Sequence, residues 1–158
     1  MNALRQTRRA FTLVELLVAM ALMALLMVAG AMAMQAAHDS HIYNLEKTDL
    51  ILRTRGVLDR IARDVRVAAS FEVPDSRTLA VTLADGVVHT YAWDGTQGGN
   101  LHYTVTDGLN VQSALLTNQV QAFATSNNDP ACSASLVLKG SLATSQAKLT
   151  ATPRKAVF

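Results

Sequence analysis

Hydrophobic positions follow three successive patterns along this chain. From Phe11 to Met34 they are nearly continuous, broken only by Thr12, Glu15 and Gly30. From Gln35 to about Ser70 they recur at spacings of three and four, and from Phe71 onward they alternate in short runs between turn residues. The first pattern predicts a helix apolar on every side. Its 24 residues, at about 1.5 Å each, span about 36 Å, more than the roughly 30 Å of a hydrocarbon core.

The second pattern predicts a continuation of the same helix with one apolar face. Ile51, Leu58, Ile61, Ala62, Val65, Ala68 and Ala69 define that face. Charge lies opposite, where Asp49 with Arg53 and Asp59 with Arg63 form acid-first i,i+4 pairs, each worth about 0.2–0.5 kcal/mol. Proline is absent from this stretch and Gly56 is its only glycine, a position that permits a bend. The two patterns together predict one rod from about Phe11 to Ala69, about 90 Å long. Pro74-Asp75 closes the helical region.

The third pattern predicts strands. Leu79, Val81 and Leu83 alternate, Asp85-Gly86 turns, and Val87 to Trp93 returns, which is a hairpin signal. A longer turn from Asp94-Gly95 to Asn100 precedes Leu101 to Thr106, and Asp107-Gly108 turns again. Leu115 to Thr125, Ser135 to Leu138 and Lys148 to Thr152 are further candidates. The expected fold class is therefore α+β, with the apolar face of an antiparallel sheet laid on the amphipathic half of the helix. Four segments follow: a basic leader at 1–10, a membrane-spanning helix at 11–34, an amphipathic continuation at 35–70, and a β-rich region at 71–158.

Composition refines this picture chiefly at the amino terminus. Arg5, Arg8 and Arg9 precede the apolar run with no acid among them, which places residues 1–10 in the cytoplasm and the rest beyond the membrane. The formal charge of +2 belongs to that leader, since removing three arginines leaves −1. Glu15 is the anomaly. A charge at the bilayer centre costs roughly 2.5–3.5 kcal/mol, whereas leucine, valine and phenylalanine each return about 0.3–0.6 kcal/mol. Insertion is still favoured, and an intramembrane acid is expected to have a partner or a task. A competing reading is a secretory signal peptide cleaved near Ala31-Met32-Ala33, although its apolar core would normally run about 7–15 residues.

The order Arg8-Arg9-Ala10 followed by Phe11-Thr12-Leu13-Val14-Glu15-Leu16-Leu17 resembles the amino terminus of type IV pilins and of the pseudopilins of type II secretion. The resemblance implies cleavage by a prepilin peptidase between Ala10 and Phe11, N-methylation of Phe11, and a role for Glu15 in assembly. Glycine usually precedes the cut in that family, and Ala10 departs from it. The resemblance also implies a pilin-like order of helical rod then sheet, an inner-membrane precursor crossing once with its carboxy-terminal region outside the cytoplasm, and later residence in a pilus or pseudopilus. Other major or minor subunits would be its partners. Physical chemistry points the same way: an amine on Phe11 buried among helices would need a carboxylate such as Glu15, from its own chain or a neighbour. Ala29, Ala33 and Ala37 form a small-residue ridge that lets helices approach. Major pilins commonly carry proline where this chain has Met32. The run from Val87 through Leu101 to Phe123 loosely resembles the J-type minor pseudopilins and W-type minor pilins.

Candidate chemistry beyond the helix is sparse. Cys132 is the single cysteine, so no internal disulfide is expected, and it reads as a small buried residue or an exposed free thiol, with intermolecular pairing the alternative. His38 and His41 stand i,i+3 without further evident ligands, and His89 and His102, without a matching carboxylate spacing, read as ordinary sheet residues. Asn127-Asn128-Asp129 is oxygen-rich but lacks calcium-loop spacing, so neither a metal nor a cofactor is expected. Nucleotide-binding, hydrolase and metalloprotease motifs are absent, and no enzyme activity is expected. No basic cluster occurs after Phe71 before Arg154-Lys155, so nucleic-acid binding is not expected. The reading is a minor pilin or pseudopilin that acts structurally in filament assembly or initiation. The alternative is a singly anchored, adhesin-like binding module that does not polymerise.

Overall fold

The computed structural model describes residues 12–128 and 130–153. It comprises one long helix, α1 (Leu13–Val67), and seven strands: β1 (Ala68–Asp75), β2 (Thr78–Leu83), β3 (Val88–Trp93), β4 (Gly99–Asp107), β5 (Asn110–Asn128), β6 (Ala131–Lys139) and β7 (Thr144–Ala151). The chain divides into two units, Met1–Ile42 and Tyr43–Phe158. The first consists of the leading half of α1. Its apolar side chains are exposed on every face, and its most hydrophobic window has a mean hydropathy of 2.5 with nothing buried. By length and composition this helix suffices to cross a membrane.

In the second unit the rest of α1 packs against an antiparallel sheet of order β1-β2-β3-β4-β5-β6-β7, so the α+β class holds. Leu50, Thr54, Val57, Leu58, Ile61, Ala62 and Val65 form the buried stripe. They meet Leu79, Val81, Tyr91, Leu101, Val120, Phe123, Leu136 and Leu138 from the sheet, and full burial of each large apolar side chain stabilises by about 1.5–3 kcal/mol. Leu50 rather than the expected Ile51 occupies the first core position, with Ile51 half-buried beside it. Thr54 lies in the core because its hydroxyl donates to the Leu50 carbonyl at 2.7 Å, which removes the cost of an unpaired polar group.

Helix and sheet meet without a loop. α1 stops at Val67 and β1 starts at Ala68, so the expected helical limit at Ser70 is corrected. Ala68 is buried as a strand residue and Ala69 is exposed. Pairing of Ala68 with Leu83 and of Phe71 with Val81 outweighs the helical spacing of the alanines, a tertiary override of local pattern. Pro74 does not end the helix; it lies near the end of β1, an edge strand, beside a register irregularity, where a missing N–H is tolerated. Helical structure continues through Gly56. Arg53 pairs with Asp49 at 2.8 Å as expected, but Arg63 donates to the Asp59 carbonyl at 3.3 Å instead of pairing with its carboxylate.

The hairpins follow their turn residues. At Asp85-Gly86 the Leu83 N–H donates to the Val87 carbonyl at 2.9 Å, the Asp85 carboxylate takes the Val87 N–H at 3.1 Å, and Gly86 supplies φ of +86°. β5 begins at Asn110, earlier than the expected Leu115, and it changes partner along its length. Asn110 to Thr117 pair with β4, Val120 pairs with both Gly99 of β4 and Leu138 of β6, and from there to Asn128 the pairing is with β6. The change falls at Gln119, whose φ is +61°. Gln119→Gly is therefore expected to be neutral or stabilising by up to about 1 kcal/mol, and Gln119→Val to cost about 1–3 kcal/mol, as read by chemical denaturation.

Glu46 on α1 fastens the β6–β7 turn. Its carboxylate accepts the Ser141 N–H at 2.5 Å, the Ser141 hydroxyl at 3.0 Å and the Leu142 N–H at 2.9 Å. A Cβ on Gly140 would strike this carboxylate. Desolvation at the turn disfavours the charge, but these hydrogen bonds prevail and hold the Glu46 carboxyl below its usual range. A depressed folded-state value stabilises above the unfolded value and loses that contribution as pH falls through the folded one. Glu46→Ala is thus expected to lower the melting temperature at neutral pH. The difference from the parent should vanish as acidification protonates Glu46; a difference independent of pH would contradict this role.

Candidate functional site

The first turn of α1 carries the acid singled out by sequence. Thr12 caps it: the Glu15 N–H donates to the Thr12 carbonyl at 3.1 Å and to its Oγ1 at 3.2 Å, and the Leu16 N–H reaches the same carbonyl at 3.2 Å. Thr12-Leu13-Val14-Glu15 is a Thr-x-x-Glu start signal. Sequence reading treated Thr12 only as a polar interruption, and the signal that reveals its role is that spacing. Glu15 consequently stands in the turn where free N–H groups and the helix dipole favour negative charge. Its neighbours Leu13, Val14, Leu16 and Leu17 are all more than half exposed. Among the described residues no cation pairs with Glu15. A charged group fixed in an apolar collar stays ionised on burial only if an opposite charge comes with it. Ala10 and Phe11 lie outside the described residues.

The remaining candidates separate clearly. His38 and His41 are exposed on α1, and His102 is exposed on β4. Among the described residues no group of three histidine, cysteine or carboxylate side chains converges as a metal site. Asn127 and Asn128 lie at the β5–β6 turn, where Asn128 donates to the Ser133 hydroxyl at 3.3 Å, and Asp129 is outside the described residues. Cys132 is buried, and burial pushes its thiol pKa up, which disfavours the reactive thiolate.

His89, which no sequence spacing linked to an acid, has a carboxylate partner on another element. Its Nδ1 lies 2.7 Å from Asp64 Oδ2 on α1, and the Tyr91 hydroxyl donates to the same oxygen at 2.6 Å. His89 and Asp64 side chains are 16% and 17% exposed. Burial, then the Asp64 carboxylate, pushes the Tyr91 phenol far up and keeps it a donor. Tyr103 packs edge-on against His89, and the Arg60 guanidinium covers the Tyr103 ring at 3.9 Å. The cluster joins helix to sheet through one carboxylate. Its only trace in the sequence is Asp64 standing between the core positions Ile61 and Val65.

An apolar helix long enough to cross a membrane, with an acid in its Thr12-capped first turn, is followed by a sheet folded on its second half, an α+β architecture. Residues 5–31 match the family model of the prokaryotic N-terminal methylation motif. That match supports a pilin- or pseudopilin-type subunit, processing by a prepilin peptidase, and membrane association. No curated protein and no solved structure matches the chain.

Proposed function

We propose that the chain is a minor pilin or pseudopilin, a structural subunit that assembles into or initiates a type IV pilus or type II secretion pseudopilus. The observation that carries this reading is Glu15, held by Thr12 in the first turn of α1 among the exposed apolar side chains of Leu13, Val14, Leu16 and Leu17, within the stretch that matches the methylation motif. A prepilin peptidase cuts between Ala10 and Phe11, and the new amine of Phe11 is methylated. The first unit of α1 then leaves the inner membrane to pack among other subunits' helices, where Glu15 pairs with a neighbour's amine and sets axial register. The sheet contacts other subunits, and no catalytic step is involved. Met32 in place of proline favours a minor subunit over a major one.

The test is fractionation of cells that express the full chain. Filament assembly predicts that the protein appears in sheared or extracted filament material together with other subunits, and that deleting the peptidase confines it to the membrane. A singly anchored binding module predicts retention in the membrane in both cells, and that result would overturn the proposal.

A further inference from the structure

Three of the sheet's unpaired strand edges are the outer sides of β1 and β7 and one side of the first half of β5, and of these only the last lacks protection. β1 carries Glu72, Pro74 and Asp75, and β7 carries Lys148, the charges and proline that discourage strand addition. The third edge is the first half of β5. Asn110 to Thr117 pair with β4 on one side, and β6 joins the other side only from Val120. Asn110-Val-Gln-Ser-Ala-Leu-Leu-Thr-Asn118 contains no charge, proline or glycine, and Val111 and Leu115 are 64% and 56% exposed. Such an edge is a template for another strand.

Directly beside it runs a groove of about 550 Å³ between Leu115–Asn118 and α1. Its helical wall presents Arg53, Gly56, Arg60 and Arg63, spaced three, four and three residues apart and hence on one face. Arg53 shares its charge with Asp49. Arg60 lies over the Tyr103 ring and Arg63 bonds only a carbonyl, so among the described residues neither has a carboxylate partner. Gly56 opens the middle of the wall: a Cβ there would meet nothing within 4 Å. Main-chain donors and acceptors on one wall, and on the other the Arg60 and Arg63 guanidinium groups without a carboxylate partner among the described residues, select an extended chain that bears carboxylates.

We propose that this groove binds an extended, acidic segment of another protein, which adds to β5 at Asn110–Asn118 as a further strand while its carboxylates face Arg60 and Arg63. The inference rests on the second unit alone and stands whether or not the chain forms filaments. The experiment uses the full chain in detergent micelles and hydrogen exchange as the readout. The probe is a synthetic peptide alternating glutamate with valine, with its lysine counterpart as control. The glutamate peptide should slow exchange of amides in 110–118 by about tenfold or more, and the lysine peptide should not. Gly56→Leu should abolish that protection while raising the melting temperature, because leucine is a better helix former and has room; this separates groove filling from misfolding. Arg63→Glu, on the exposed side of α1, should likewise abolish it. Absence of protection by the glutamate peptide, equal protection by the lysine peptide, or undiminished protection in Gly56→Leu would overturn the proposal. So would sulfate alone reproducing the effect, which would mean a simple anion site. Concentration-dependent protection of 110–118 without peptide would replace the partner with a second copy of this chain.

Discussion

Replacing Glu15 with alanine is expected to remove the protein from filament material while leaving it in the membrane. The two outcomes separate because the acid acts differently on each. Insertion is opposed by the charge, at roughly 2.5–3.5 kcal/mol for a central position and less near the helix end, so its loss makes insertion easier. Assembly among apolar helices requires a counter-charge for each buried amine, and breaking such a pair from one side costs roughly 3–5 kcal/mol per subunit. An equilibrium that fails by that amount at every addition yields no detectable filament. The helix itself should persist, since a first-turn acid contributes only about 0.3–1 kcal/mol through the dipole, and Thr12 still caps the turn. Glu15→Gln should behave like alanine because it keeps shape and loses charge. Filament yield equal to the parent's in both variants would contradict the assembly role.

Asp64→Ala is expected to destabilise the second unit strongly. It strips the Tyr91 hydroxyl, on a ring with no exposed surface, and the His89 ring of their shared acceptor. A hydrogen bond to a charged group is worth about 1.5–3 kcal/mol, and leaving a buried donor unpaired adds a further penalty, so a loss of about 3 kcal/mol is expected. For a unit of this size that corresponds to a fall of roughly 10 °C in melting temperature. Tyr91→Phe should cost less, because donor and demand disappear together. The double variant should lose less than the sum of the two, with a coupling of about 1–2 kcal/mol. Additive losses would show that Asp64 does not hold the tyrosine.

What the sequence revealed and what it hid divide by the range of the interactions involved. The apolar run, the amphipathic continuation and the hairpins at Asp85-Gly86 and Asp107-Gly108 are local patterns, and they reappear in α1 and in β2 through β5. β1 escaped notice because Ala68 and Ala69 continue a helical spacing; only pairing with β2, many residues later, makes them a strand. The division of β5 at Gln119 was hidden for a similar reason, since nothing local says that β6 stops short of the first half. In the candidate site, Glu15 stood out because a charge inside an apolar run is costly wherever the run folds. His89 did not, because its partner Asp64 lies on another element and no fixed spacing links them. The Glu46 contact with Ser141 and Leu142 is more distant still along the chain.

Whether the chain is processed as a prepilin is read by intact-mass and amino-terminal analysis of the protein from its native membrane. A mature chain that begins at N-methylated Phe11 is the predicted result, and it would show that Ala10 supports cleavage. A chain that begins near Met34, or one that retains Met1 in cells with an active prepilin peptidase, would contradict the account.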